Sequence, residues 1–335
     1  MKPVQQDFES GQFRAGQPAA EGSVGGGDMV AGQVSEDGGF GIAAEDGSSF
    51  VKTTAVRRLW SSRSMCYWRG HGLRYFVGLI CMALCAAVLV LPTPYVIESP
   101  GPTQDVLAKA SGKSVISITG TKTYATKGKL LLTTVNARGV PGYPAIGAET
   151  VFAVFDPQQD LLPTEAVFPP GQTSEEYGRG TIKQMKGSQD SASAAAIAYA
   201  NRLGLRTHNV RIAMHVDDIG GPSAGMMYAL GTLNKLTVQD ETGGRTIAGT
   251  GTIDKQGKVG RIGGIKLKMI AAKRDGASWF LAPASNCDEV AGHVPQGLRD
   301  VQVSTLEEAY KALVLIGKGQ GANLPHCVVS EARAQ

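Results

Sequence analysis

The stretch "IAGTGTIDKQGKVGRIGGIKLKMIAAKRDGA", residues 247–277, decides how the rest of the chain is read. Its first part alternates β-formers with glycine, and "DKQG" at 254–257 has the composition of a tight turn, so two short strands joined by that turn are expected. Gly263 and Gly264 then break the pattern. "IKLKMIAAKRDG" follows as a helix stopped by Gly276. "GTIDKQGKV" has a superficial likeness to a phosphate-binding loop, but Val259 stands where Ser or Thr would hold magnesium, so a turn is the reading. The helix carries two lysines, Lys266 and Lys268, among Ile262, Ile265, Met269 and Ile270. A lysine on an apolar face loses solvation, which lowers its pKa toward the range where it serves as a base.

The natural partner for such a lysine is a hydroxyl nucleophile, and "IGGPSAGMMYALG" at 219–231 supplies Ser223 between small residues, ahead of an apolar run. "NVRIAMHV", 209–216, reads as a strand leading into this turn, and "SAGMMYALGTLNKL" as a helix with Ser223 at or near its N-cap. Gly221-Pro222-Ser223-Ala224-Gly225 also fits the G-x-S-x-G nucleophile elbow of α/β-hydrolases. That reading requires His293 or His326 as the base and predicts esterase turnover that survives Lys268→Ala. Neither histidine has a supporting pattern, and "DDIG" separates the strand from the glycine. His215 and the acids Asp217 and Asp218 lie close upstream and read as ordinary strand and turn residues.

Further out, residues 1–55 are Gly-rich, acidic and poor in large apolar side chains, which predicts a disordered tail. Residues 56–74 form a basic segment with Arg57, Arg58, Arg63, Arg69 and Arg74. "YFVGLICMALCAAVLVL", 75–91, has no charge, and with its flank to residue 95 is long enough to cross a bilayer. The one-sided arginines place the N-terminus in the cytoplasm and everything from 96 outside. A β-rich region is expected over 96–205, a catalytic domain over 206–320 and a tail over 321–335. Mixed strands and helices without a βαβ rhythm indicate an α+β fold. The net charge of +4, without a basic block beyond the juxtamembrane segment, excludes a nucleic-acid footprint. The five cysteines form no metal-binding spacing; only Cys287 and Cys327 are placed to pair in an oxidising compartment.

Together, "GGPSAG", the 247–277 stretch and "FLAPASNCDEV" resemble the proteolytic domain of Lon-type serine peptidases. With "VIESPGPTQDVL", "LLLTTV" and "QMKGSQDSASAAA", the chain from the apolar run onward is similar to the membrane-anchored, ATP-independent Lon-like proteins of Gram-positive bacteria. The resemblance implies Ser223 as nucleophile, Lys268 rather than Lys266 as general base, and Thr250 as an assisting residue that orients Lys268. Gly221, Pro222, Ala224 and Gly225 complete the serine motif, and amides around Ser223 to Gly225 are expected to form an oxyanion hole. No cofactor or metal is implied. The expected partners are unfolded or loop segments of proteins and the membrane, and homo-oligomers are compatible with the family. Such relatives usually carry a PDZ domain before the serine strand, whereas here only "YANRLGLRTH" intervenes. The competing expectation is a non-catalytic scaffold that keeps the fold.

Overall fold

A computed structural model describes residues 13–14, 72–110, 112–168, 171, 173–205, 207–215 and 221–328. The basic segment before residue 72 and nearly all of the expected disordered tail lie outside them. Within the tail, Phe13–Arg14 are placed as a two-residue strand beside Val135 and Asn136.

The apolar run forms helix α1, Leu73–Val90, none of whose residues is buried. It is long and apolar enough to cross a membrane. The chain then enters strand β1, Tyr95–Asp105, followed by β2, Ile116–Thr119, and β3, Lys129–Arg138. Helix α2, Gly147–Phe155, and strand β4, Asp160–Pro163, come next. "EAVFPPG", within the region expected to be β-rich, instead begins as a single helical turn over Thr164–Val167.

Helix α3, Ser174–Arg202, starts at a capping box in which the Thr173 hydroxyl accepts from Glu176 N–H and the Glu176 carboxylate accepts from Thr173 N–H. Its alanine face, Ala192, Ala195, Ala196 and Ala200, is buried, which allows close approach to helix α4, Gly225–Leu236. Strand β5, Arg211–Met214, pairs antiparallel with β2. After α4 come β6, Thr246–Gly249, and the hairpin strands β7, Thr252–Ile253, and β8, Val259–Gly260. The turn between them is closed by Gly257 N–H on the Asp254 carbonyl, as its composition requires. Helix α5, Ile265–Arg274, strand β9, Trp279–Pro283, strand β10, Arg299–Val303, and helix α6, Leu306–Gly317, complete the order.

The main sheet runs β10-β9-β6-β3-β1-β4. β10, β9, β6 and β3 pair in parallel, and β1 pairs antiparallel with both β3 and β4. Strands from both sides of residue 206 therefore share one sheet. Alternate residues of β3 face opposite cores: Leu130 and Leu132 pack with α4, whereas Leu131 packs with α5. Helix α4, buried all round except at Lys235, is central, and the serine and lysine segments approach each other along the sheet end where β6 stops at Gly249.

Candidate active site

The serine motif does not begin as a simple N-cap. Pro222–Ala224 form a 3-10 turn that runs into α4, so Ser223 sits inside helical backbone rather than capping it. Gly221 makes this possible with φ of 102°, a conformation that a side chain would strain. The turn is held from two sides. Ser188 of α3 donates its hydroxyl to the Pro222 carbonyl at 2.9 Å, and the Ser223 carbonyl accepts from Gly251 N–H at 2.7 Å and from the Thr250 hydroxyl at 3.1 Å. Thr250 thus bonds to the backbone of the serine, where an orienting contact to Lys268 was expected. Gly225 lies where an added Cβ would meet Ser188 Oγ at 2.8 Å and Ile253 Cγ2 at 2.9 Å, which explains a glycine at the start of a helix. Its amide is bonded to the Pro222 carbonyl and that of Met226 to Gly251.

Lys268 lies one turn into α5, its amide bonded to the Gly264 carbonyl at 3.0 Å. Gly264 adopts the left-handed conformation at φ 65°, and a Cβ there would come within 2.8 Å of Val135 and 3.2 Å of Glu98 Oε2. Upstream, the wholly buried Asn286 clamps the approach loop: its side chain accepts from Ile262 N–H and donates to the Ile262 carbonyl. Arg261 is tied to Asp288 and Glu289, and Cys287 is bonded to Cys327. The loop ahead of the lysine is therefore fixed by hydrogen bonds and ion pairs, and the segment that supplies them is itself tied through Cys287 to Cys327.

These supports bring Lys268 Nζ to 3.0 Å from Ser223 Oγ, donating to it. Lys268 is 0% and Ser223 2% exposed. Burial lowers the Lys268 pKa to about 7, against the opposing pull of Glu98 and then Glu289. Lys266 is only half-buried. No histidine bonds to the Ser223 hydroxyl among the described residues; the exposed His293 ring contacts its neighbouring Ala291 carbonyl. Asp217 and Asp218 lie outside the described residues. A neutral amine at hydrogen-bond distance from a buried hydroxyl is an arrangement that can activate an oxygen nucleophile.

Sequence comparison matches residues 136–315 to the Lon protease (S16) C-terminal proteolytic domain. The chain belongs to that family. Similar curated proteins include Lon protease 3 of Sorangium cellulosum, 32% identical over 204 residues, covering 53% of this chain and 23% of that protein. The Lon protease of Heliobacterium modesticaldum is 29% identical over 180 residues (51% and 22%), and that of Haemophilus influenzae 32% over 173 (49% and 21%). The chain thus spans under a quarter of the length of these relatives. Its Lon domain is of mixed α and β structure and is that of a serine peptidase.

One buried acid beside the candidate site is marked by no motif of the sequence. Glu98 of β1 is 5% exposed, its carboxyl stands over Gly264, and burial raises its pKa to about 7 despite the attraction of Lys268. It precedes the matched segment, and a single acid in "VIESPG" carries no spacing signal. Beside the serine turn, a cleft of about 500 Å³ runs between α3 and the β7–β8 hairpin, lined by Ser188, Ser191, Pro222, Thr252, Ile253 and Lys258 among others.

Proposed function

We propose that this protein is a membrane-anchored serine endopeptidase that needs no nucleotide for its chemistry, with Ser223 as nucleophile and Lys268 as general base. The observation that carries the reading is the 3.0 Å contact between Lys268 Nζ and Ser223 Oγ in a fully buried setting. Neutral Lys268 takes the hydroxyl proton as Oγ attacks the peptide carbonyl, then delivers it to the leaving amine. A water activated by the same amine hydrolyses the acyl-enzyme. The Gly225 amide is already committed, so we assign the Ser223 amide to the developing oxyanion. Thr250 acts as a positioning residue by holding the Ser223 carbonyl.

The turn at 254–257 closes a hairpin, which supports chemistry without a phosphate cradle in that stretch. The cleft is open to an extended peptide, so unfolded or loop segments of proteins are the proposed substrates. The arginines before α1 support a cytoplasmic N-terminus and a catalytic domain outside. A tail on the far side of a bilayer cannot pair with β3, so this topology and the two-residue pairing of Phe13–Arg14 exclude each other. The arginine bias is the stronger determinant, and labelling a tag at the N-terminus from each side of sealed vesicles decides between them. Casein digestion by the full chain in detergent, without nucleotide, tests the chemistry. Cleavage lost in both Ser223→Ala and Lys268→Ala is expected; cleavage retained in Lys268→Ala removes the lysine from its role.

A further inference from the structure

Among the described residues, helix α2 carries the most exposed apolar surface outside α1. Val151, Phe152, Val154 and Phe155 are all exposed, the two phenylalanines at 76% and 80%. The helix is not loose: its opposite side sends Ala153 into a small core with Ile97, Ala145 and Leu161. Its one charged residue, Glu149, is paired with Arg138. A neutral helix, packed on one side and bare and aromatic on the other, needs an apolar occupant for the bare side.

What covers it is indicated by where its N-terminus is tied. Gly147, the first residue of α2, donates its amide to the carbonyl of Leu91, the residue immediately after α1. Thr93 N–H donates to the Ala145 carbonyl, Pro92 bridges to Ile146, and the Thr93 and Thr150 hydroxyls bond at 2.8 Å. The start of α2 is thus one hydrogen bond from the residue at which the apolar span ends. Tyr95 and Tyr143 are exposed in the same neighbourhood, and the turn at Gly139 packs directly on the Tyr95 carbonyl. Tyrosines at that level and an apolar helix face are features of a chain lying in a lipid headgroup boundary.

We infer that α2 is an interfacial helix, its face of Val151, Phe152, Val154 and Phe155 seated in the outer lipid leaflet. The inference rests on the proposal that α1 spans a bilayer. With no free basic residue on the helix, binding depends on apolar burial and is indifferent to lipid charge. The seat fixes the orientation of the catalytic domain at the membrane surface, where α1 alone leaves it free to swivel.

The test uses the full chain reconstituted into phosphatidylcholine vesicles containing lipid brominated on its acyl chains. The Phe155→Trp variant is compared with Val238→Trp, which alters an exposed valine just beyond α4, and the parent emission is subtracted. Flotation is scored first. We expect floated protein in which the Phe155→Trp emission is strongly quenched and the Val238→Trp emission is not, with the same result when anionic lipid is added. Floated protein with both variants equally unquenched overturns the interfacial helix and leaves the anchor standing. That result together with detergent-stable oligomers lost in Phe155→Ser assigns the face to a second copy. Protein that fails to float refutes the anchor and this inference with it.

Discussion

Replacing Lys268 with methionine should inactivate the enzyme and stabilise its fold. The lysine side chain is wholly buried, and burial takes its pKa from 10.5 to about 7. Between those values the unfolded chain binds a proton that the folded chain does not, so stability rises with pH across that window. At pH 7 the folded state forgoes binding energy for roughly three pKa units, which amounts to about 4 kcal/mol at 1.36 kcal/mol per unit. Methionine fills a similar volume without that penalty. Part of the gain is offset because Glu98 loses its attraction to Lys268 and takes up a proton. The net expectation is on the order of 2–4 kcal/mol in favour of Lys268→Met at pH 7, closing toward zero near pH 10.5. Guanidinium denaturation of the full chain in detergent, followed by circular dichroism at several pH values, measures the gap. Peptide cleavage by the same protein should fall by a factor on the order of 10²–10⁴. A variant less stable than the parent at pH 7, or a gap that does not change with pH, would refute the buried neutral amine.

With Lys268 as the proposed base, which acts only when unprotonated, cleavage should rise with pH through about 7. Glu98→Gln removes a charge that holds the lysine pKa up, so the acidic limb of the pH–rate profile should move to lower pH; movement the other way contradicts the coupling. Breaking the link between Cys287 and Cys327, by Cys327→Ser or by reduction, should lower stability by about 4 kcal/mol for a separation of 40 residues, and denaturation curves that coincide with the parent would exclude it. Gly225→Ala gains helix propensity but drives a methyl group against Ser188 and Ile253, so a net loss of about 1–2 kcal/mol and reduced cleavage are expected. Thermal melts and casein assays on that variant check both.

The lysine was closer to legible than the residues around it. Both lysines lie among apolar residues at helical spacing, and the family motif, not periodicity, singles out Lys268; the structure buries Lys268 wholly and leaves Lys266 half-buried. The glycines also carried their meaning: Gly221 and Gly264 each adopt a backbone conformation that glycine favours. The 3-10 start of α4 was not readable, because it depends on Ser188, Thr250 and Gly251 gripping the turn from distant segments. Asn286 stands inside "FLAPASNCDEV", but its role, the clamp on Ile262, depends on a partner 24 residues away that the sequence does not indicate. Residues 96–205 read as a β-rich region beside the catalytic one, yet β1, β3 and β4 join β6 and β9 in one sheet. Strand partners separated by more than a hundred residues leave no local trace in sequence.

The sheet order also bears on how the enzyme is born. Helix α5 rests on β1 and β3, both made long before it. Chains emerge from the ribosome N-terminus first, so the seat for the lysine exists before the lysine does. Ser223 likewise precedes Lys268 by 45 residues, and β6, which carries the chain between them, is held by parallel pairing to the earlier β3 on one side and the later β9 on the other. Such long-range parallel closure is a slow step in folding. On the proposed chemistry, a nascent chain therefore carries Ser223 without Lys268 until most of the domain has been synthesised, so the order of assembly would keep the unfinished polypeptide from cleavage by its own proposed nucleophile.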